Sequence, residues 1–418
     1  MHKYFLQLSL LLLIGCTPKQ DEATQKMAEQ LHTLHEQSFS NIKYPYHNGL
    51  RADAYAKQLK GIPESANIKI RYQYFEQLIN AGRLEEGILK IKNFLGDQAC
   101  KRSTLKYYQL LGIAYMQLAE DENCVMHAGD FACVMPMTDD AIHQKTKGSE
   151  AAIEVFEKIL AKFPREHGIQ WLLNIAYMTL GKYPLAVPKQ WLIELKKDTT
   201  LLTNNTLPNF NNLAKKMDID ALGHAGSCAM EDFDKDGYLD IIASSYYLNE
   251  QLTYYRNKAG KGFENITQKA GLSGITGGLN FIHGDVNNDG YADLYVTRGA
   301  WLGSYGTFPN SLLINDGQGN FVDRTEAFNI AESYPSQTAV FADFNVDGWL
   351  DLLVGYEAFN GLNFPSKLYL NDNGKGFIDY TDKADINIIK YVKGITVCLL
   401  YTSPSPRDAT LSRMPSSA

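Results

Sequence analysis

Asp232-Phe233-Asp234-Lys235-Asp236-Gly237-Tyr238-Leu239-Asp240 recurs as Asp285-Val286-Asn287-Asn288-Asp289-Gly290-Tyr291-Ala292-Asp293 and again as Asp343-Phe344-Asn345-Val346-Asp347-Gly348-Trp349-Leu350-Asp351. All three read D-x-[DN]-x-D-G-x-x-D. In a backbone that winds round one point, side chains at positions 1, 3, 5 and 9 converge. Position 7 (Tyr238, Tyr291, Trp349) supplies a carbonyl, and Gly at 6 permits the sharp turn. Such an all-oxygen cage suits a hard cation, and Ca2+ at about three sites is the expected occupant. A solvated acidic turn uses the same residue types, but three copies in one register favour the metal. Loop 1 offers four carboxylates and the others three plus an Asn, so equal geometry makes loop 1 the tightest.

Outward from the loops, a longer repeat emerges. Phe210, Phe263 and Phe321 each stand 22 residues before a first loop Asp, and with Phe377 they mark periods of 53, 58 and 56 residues. That spacing suits a four-stranded unit. After each loop comes an apolar, β-branched run at 239–243, 294–297 and 350–354, read as a buried strand. Hairpins follow at 312–321 and 368–377, turning through Gly-rich segments. No helical pattern succeeds those glycines, so they are turn residues rather than a phosphate cradle. An EF-hand wants Glu at position 12 and a helix after it. Here position 12 is Ala243, Val296 or Val354, in strand-like runs.

These loops, the Asn-x-Gly-x-Gly-x-Phe hairpin and the trailing Thr267, Thr325 and Thr381 resemble FG-GAP/VCBS repeats of the integrin-α propeller type. They are most similar to the bacterial ASPIC/UnbV (cartilage-acidic-protein-like) group, some members of which carry a lipoprotein signal and tetratricopeptide repeats ahead of the propeller. The resemblance covers residues 205–398. It implies a calcium-stabilised β-propeller that binds proteins or glycans. The fixed spacing then places a fourth loop Asp at 399, where Leu399 stands, and the Ser/Thr/Pro-rich 402–418 has no periodicity. Residues 399–418 are therefore read as an aberrant, non-native tail and the fourth blade as truncated.

At the other end, Lys3, the apolar run 6–14 and Leu13-Ile14-Gly15-Cys16 form an export signal too short to span a bilayer. The last four residues resemble the bacterial lipobox, which implies lipidation at Cys16 and an exported lipoprotein of the cell envelope, in the outer membrane and facing periplasm or surface. Residues 17–28 read as a tether. Between 28 and 195 the pattern is helical, with two antiparallel helices over 68–95 broken at Ala81-Gly82-Arg83. Tyr108, Leu111, Gly112, Ala114 and Tyr115, followed by Ala152, Phe156, Ile159 and Pro164, resemble helices A and B of a tetratricopeptide repeat, with residues 120–149 inserted between them. Residues 171–177 read as a third helix A, and Trp171 and Tyr115 as helix-on-helix packing residues. Cys124 and Cys133 lie within the insertion: a disulfide in an oxidising compartment, or two buried thiols. No C-x-x-C or His pair accompanies them to hold zinc.

The fold class is thus multidomain: an all-α helical-hairpin (tetratricopeptide-like) solenoid at 29–199, then all-β calcium-binding propeller blades at 200–398 forming an incomplete propeller. At 45% hydrophobic, 21% charged and net charge −7, the chain is neither disordered nor built for nucleic acid. His224 and His283 assemble no nucleophile with base and orienting acid, so both are read as blade residues. The expected function is a non-catalytic, envelope-anchored calcium-binding protein that engages a protein or polysaccharide ligand. The alternative is a polysaccharide-active enzyme whose catalytic residues lie on further C-terminal blades. Metabolic labelling with a fatty-acid precursor should mark the wild-type chain in bacteria and leave Cys16→Ala unlabelled.

Overall fold

The computed structural model describes residues 20–39, 41, 44, 46–63, 66–127, 135, 137, 139–195, 211–359, 361–386 and 388–397. The signal with Cys16, the start of the tether, Cys133, Phe210 and the tail 399–418 lie outside the described residues. The chain divides into two compact units. Residues 41–212 form one; the other joins residues up to 40 with those from 213 onward. Among the described residues no helix is long and apolar enough to cross a membrane.

The first helix, α1 (Glu22–Phe39), belongs to the β unit. The helical unit holds α2 (Asn48–Leu59), α3 (Ile68–Asn80), α4 (Leu84–Leu95), α5 (Leu105–His127), α6 (Lys147–Leu160) and α7 (His167–Thr179), each packed on its neighbour in the chain. Their stripes are legible: α4 buries Leu84, Ile88, Ile91 and Leu95, and α6 buries Ala152, Phe156 and Ile159. The turn expected at 81–83 forms. Gly82 takes φ +73, its N–H bonds Ile79 O, and Arg83 N–H bonds Leu78 O, closing α3 as a Schellman motif. Gly181 ends α7 in the same way, with Lys182 N–H on Tyr177 O.

Two expectations change here. Residues 120–127 continue α5 rather than opening the insertion, because the apolar face of α5 runs on through Ala119 and the buried Asn123, whose side chain bonds Ala119 O and Lys145 O. Trp171 is 37% exposed, since the buried stripe of α7 runs through Ile169, Leu173 and Ala176; Tyr115 is partly buried against the core as expected. Within the insertion, His143 is buried between Cys124 (Sγ to Nε2 3.8 Å) and Ser149 (Oγ to Nδ1 3.0 Å), and burial lowers its pKa.

Among the described residues the β unit contains three four-stranded antiparallel sheets, each in chain order. They are β1 (Ala225–Glu231), β2 (Asp240–Ser245), β3 (Thr253–Asn257), β4 (Phe263–Asn265); β5 (Asn280–Gly284), β6 (Asp293–Thr297), β7 (Ser311–Asn315), β8 (Phe321–Asp323); and β9 (Ser336–Ala342), β10 (Asp351–Tyr356), β11 (Lys367–Asn371), β12 (Phe377–Asp379). The first strands of successive sheets lie side by side, β1 by β5 and β5 by β9. Burial on both faces explains the continuous apolar run of β6, in which all five residues are buried. Each fourth strand is fastened by its trailing Thr. Thr267, Thr325 and Thr381 accept the N–H of Tyr254, Leu312 and Leu368, while Asn265, Asp323 and Asp379 accept the Thr N–H.

Residues 22–39, divided in the sequence reading between tether and helical domain, are corrected to a helix of the β unit. Thr24, Met27 and Leu31 are its buried stripe, too sparse to stand out in a polar stretch. Thr24 Oγ1 accepts the Asp323 N–H at 2.9 Å, Lys26 pairs with Glu326 at 2.7 Å, and Gln20 donates to Gly271 O and Ser273 O. The helix thereby caps the outer edge of β8 at Asp323, while the Phe321 N–H of the same edge bonds Ala270 O.

A Cβ on Gly112 would stand 2.3 Å from the Phe156 ring, whereas one on Gly49 in α2 would meet nothing within 4 Å. Gly112→Ala should therefore destabilise the helical unit by about 1–3 kcal/mol through overpacking. Gly49→Ala should stabilise it by up to about 1 kcal/mol. Denaturant unfolding followed by circular dichroism compares the two.

Candidate metal centre

All three loops join the first and second strands of their sheets and share one backbone. Position 4 lies in the left-handed region (Lys235 φ +56, Asn288 +54, Val346 +61), and the Gly at position 6 takes φ +91, +90 and +89. Only Asn among the three position-4 residues favours that region. The shape is held by the carboxylates. Asp232 accepts the N–H groups of Asp236 (3.0 Å) and Gly237 (2.9 Å), Asp234 that of Asp236 (3.3 Å), and Asp236 that of Tyr238 (2.9 Å). Loops 2 and 3 repeat every one of these bonds, with Asn287 and Asn345 in the third position.

In loop 1 the ligand atoms of Asp232, Asp234 and Asp236 lie within 4.8 Å of one another. At about 4 Å, two like charges cost roughly 1 kcal/mol in water and roughly 4 kcal/mol at an effective dielectric of 20. A cation relieves that repulsion, and each oxygen that accepts one N–H keeps a second lone pair for it. Asp234 also faces Arg256 Nη1 at 3.7 Å. Burial raises the Asp234 pKa, Asp236 raises it further, and the Asp236 N–H and Arg256 pull it down.

The ninth-position acids stand apart from this cluster. Asp240, Asp293 and Asp351 are fully buried, and both oxygens of each are occupied. Asp293 accepts the N–H of Asn315 (2.8 Å) and of Val286 (3.0 Å), and Asp351 those of Asn371 and Phe344. Asp240 takes the Asn257 N–H and the Tyr254 hydroxyl. Burial pushes Asp293 up to about 7; its two N–H donors oppose this, and Asp289 and Asp285 add to it. These acids fasten the loop to the third strand.

The sequence reading missed what the hairpins do. Asn315 Nδ2 donates to Phe233 O in the loop of the preceding sheet at 2.8 Å, as well as to Ala292 O. Asn371 Nδ2 repeats this on Val286 O and Leu350 O. Phe321 packs on Phe233 with centroids 5.8 Å apart. The position-7 rings lie over hairpin glycines: a Cβ on Gly317 would be 2.5 Å from Tyr291, and one on Gly374 2.7 Å from Trp349. Tyr238 has no such cover and is exposed. The signal was present in the Asn-x-Gly-x-Gly-x-Phe spacing, but the partner was a neighbouring repeat. Of the two histidines, His224 contacts Glu250 at 2.7 Å and His283 lies 3.8 Å from Glu231, both on or beside the first strands of their sheets.

Residues 232–296 and 300–354 match the FG-GAP-like repeat, and the break at 297–299 falls in the second sheet, between the body of β6 and β7. Over 121 residues the chain is 30% identical to cartilage acidic protein 1 of Xenopus tropicalis. The aligned stretch is 29% of this chain and spans 17% of that relative's length.

Asn315→Ala would leave two carbonyls without their amide partner, one of them in the neighbouring sheet's loop. A loss of about 1–3 kcal/mol in unfolding free energy is expected. Asn257→Ala, whose Nδ2 donates to the exposed Leu239 O and whose Oδ1 accepts the Gly260 N–H, both within its own sheet, should cost less. Chemical denaturation of both variants tests the difference.

Proposed function

We propose that the three sheets are blades of a calcium-stabilised β-propeller, and that the protein is a non-catalytic, envelope-anchored scaffold binding a protein or glycan. The tetratricopeptide-like helical hairpins then act as a second docking module. The observation that carries this reading is the repetition, in all three loops, of the same backbone N–H donations to positions 1, 3 and 5, with the acids of loop 1 clustered at the positions a hard cation needs. The match to the FG-GAP-like repeat supports it. So does the likeness to cartilage acidic protein 1 over the stretch that aligns.

Asp232, Asp234, Asp236 and the Tyr238 carbonyl would hold the ion in loop 1. Asp285, Asn287, Asp289 and the Tyr291 carbonyl would do so in loop 2, and Asp343, Asn345, Asp347 and the Trp349 carbonyl in loop 3. The buried ninth-position Asp240, Asp293 and Asp351, whose oxygens are already engaged, would hold each loop in place from below. Calcium supplies charge neutralisation and fixes the loops on which the neighbouring hairpins rest. The ranking by carboxylate count is tempered by Arg256, a positive charge beside loop 1 alone.

Calorimetric titration of the chelated protein should show about three calcium sites and a rise in melting temperature. Asp236→Ala should remove one site, and Arg256→Gln should tighten one. No heat and no thermal shift would overturn the reading. A glycan array and a pull-down with the full chain then identify the ligand class.

A further inference from the structure

Alternate turns of an antiparallel sheet fall at opposite ends, so the connections β6–β7 and β10–β11 lie away from the metal loops. There four segments converge on one ammonium group. Lys393 Nζ stands 3.3 Å from the centre of the Trp301 ring and 3.9 Å from that of Tyr391. It donates to Gln337 Oε1 at 3.1 Å and pairs with Glu357 Oε1. The two rings meet edge to face, 82° apart.

This is a built enclosure. Glu357 is 0% exposed, and its other oxygen accepts the Trp301 N–H at 2.9 Å. Trp301 is held at φ +71, a conformation bulky residues rarely adopt. Gln337 is fixed by its own bond to Lys393 O at 2.9 Å. Yet the site opens to solvent, because Trp301 is 52% and Tyr391 42% exposed. Ring faces attract a cation through their quadrupoles, most strongly where the cation sheds water. A buried carboxylate beside them requires a positive charge.

We propose that Trp301, Tyr391, Gln337 and Glu357 form a binding site for an alkylammonium group, which Lys393 closes from within the chain and an external alkylammonium ion enters by displacing it. The inference is independent of the calcium reading. None of the four residues belongs to a metal loop, and failure of either leaves the other standing.

The test uses the full chain with Lys393→Ala and n-butylammonium, an alkylammonium with the four carbons of the lysine side chain. Titration calorimetry at constant ionic strength, with sodium as the control ion, should give Lys393→Ala a dissociation constant on the order of millimolar. The wild type, in which Lys393 competes at high effective concentration, should bind at least about tenfold more weakly. Lys393→Ala/Trp301→Leu and Lys393→Ala/Glu357→Gln should bind none. A folded Lys393→Ala chain that takes up no n-butylammonium overturns the proposal, as does equal uptake by wild type and variant. Lys393→Met, which keeps the stem and loses the charge, serves if the alanine variant does not fold, and the same outcomes decide.

Discussion

Two side-chain amides hold the repeats in register. Asn315 and Asn371 each donate to the carbonyl at the second position of the preceding sheet's loop, Phe233 O and Val286 O. Both acceptors belong to fully buried residues. A buried carbonyl left without a donor costs on the order of 1–3 kcal/mol, so hairpin and neighbouring loop are bound to one geometry. The same Asn gives its main-chain N–H to the ninth-position Asp of its own sheet. One residue thus fastens its own loop and the one before it. Phe344, the corresponding loop residue of the third sheet, is only half-buried, because no further hairpin among the described residues lies over it.

That arrangement explains why the 22-residue interval was so informative. Phe321 and Asp343 belong to successive sheets, but Phe321 packs on the loop of the sheet before its own. The interval therefore measures the path from one interface contact to the next loop, a distance the packing cannot let drift. Strand identity was legible because β6 and β10 are buried on both faces, and the helix pairs because their stripes recur at three and four. Less was legible where the partner was remote. The role of α1 depended on the edge of β8, some three hundred residues away. Trp171 carried an aromatic signal that its position, two residues from both Ile169 and Leu173 of the buried stripe, did not honour.

For the site itself, the residue types were readable but their division of labour was not. Positions 1, 3, 5, 7 and 9 looked like one ligand set. The structure separates the first, third and fifth, whose carboxylates wind the loop, from the ninth, which is buried under it. Sequence spacing gives proximity along the chain, not which oxygens are already taken by N–H donors. The cage around Lys393 was invisible for the same reason: Trp301, Gln337, Glu357 and Tyr391 have no common motif and meet only through the turns of two sheets, the start of β9 and the segment beyond β12.

The loops also show what a metal would have left to do. Lys235, Asn288 and Val346 share a left-handed backbone although their side chains have nothing in common, and Val346 is 78% exposed with no packing to hold it. Such a conformation costs a non-glycine residue roughly 1–2 kcal/mol, so it is imposed, and the imposing bonds are the N–H donations to positions 1, 3 and 5. The winding is therefore held by the chain's own hydrogen bonds and, in loops 1 and 2, by packing against the next hairpin, which offset part of the ordering cost of forming a cage. What remains unbalanced is charge: acids held within a few ångströms of one another, offset in loop 1 by Arg256 and in loops 2 and 3 by replacing an Asp with an Asn. Differences in affinity among the three loops should follow that charge balance, since the backbone does not distinguish them.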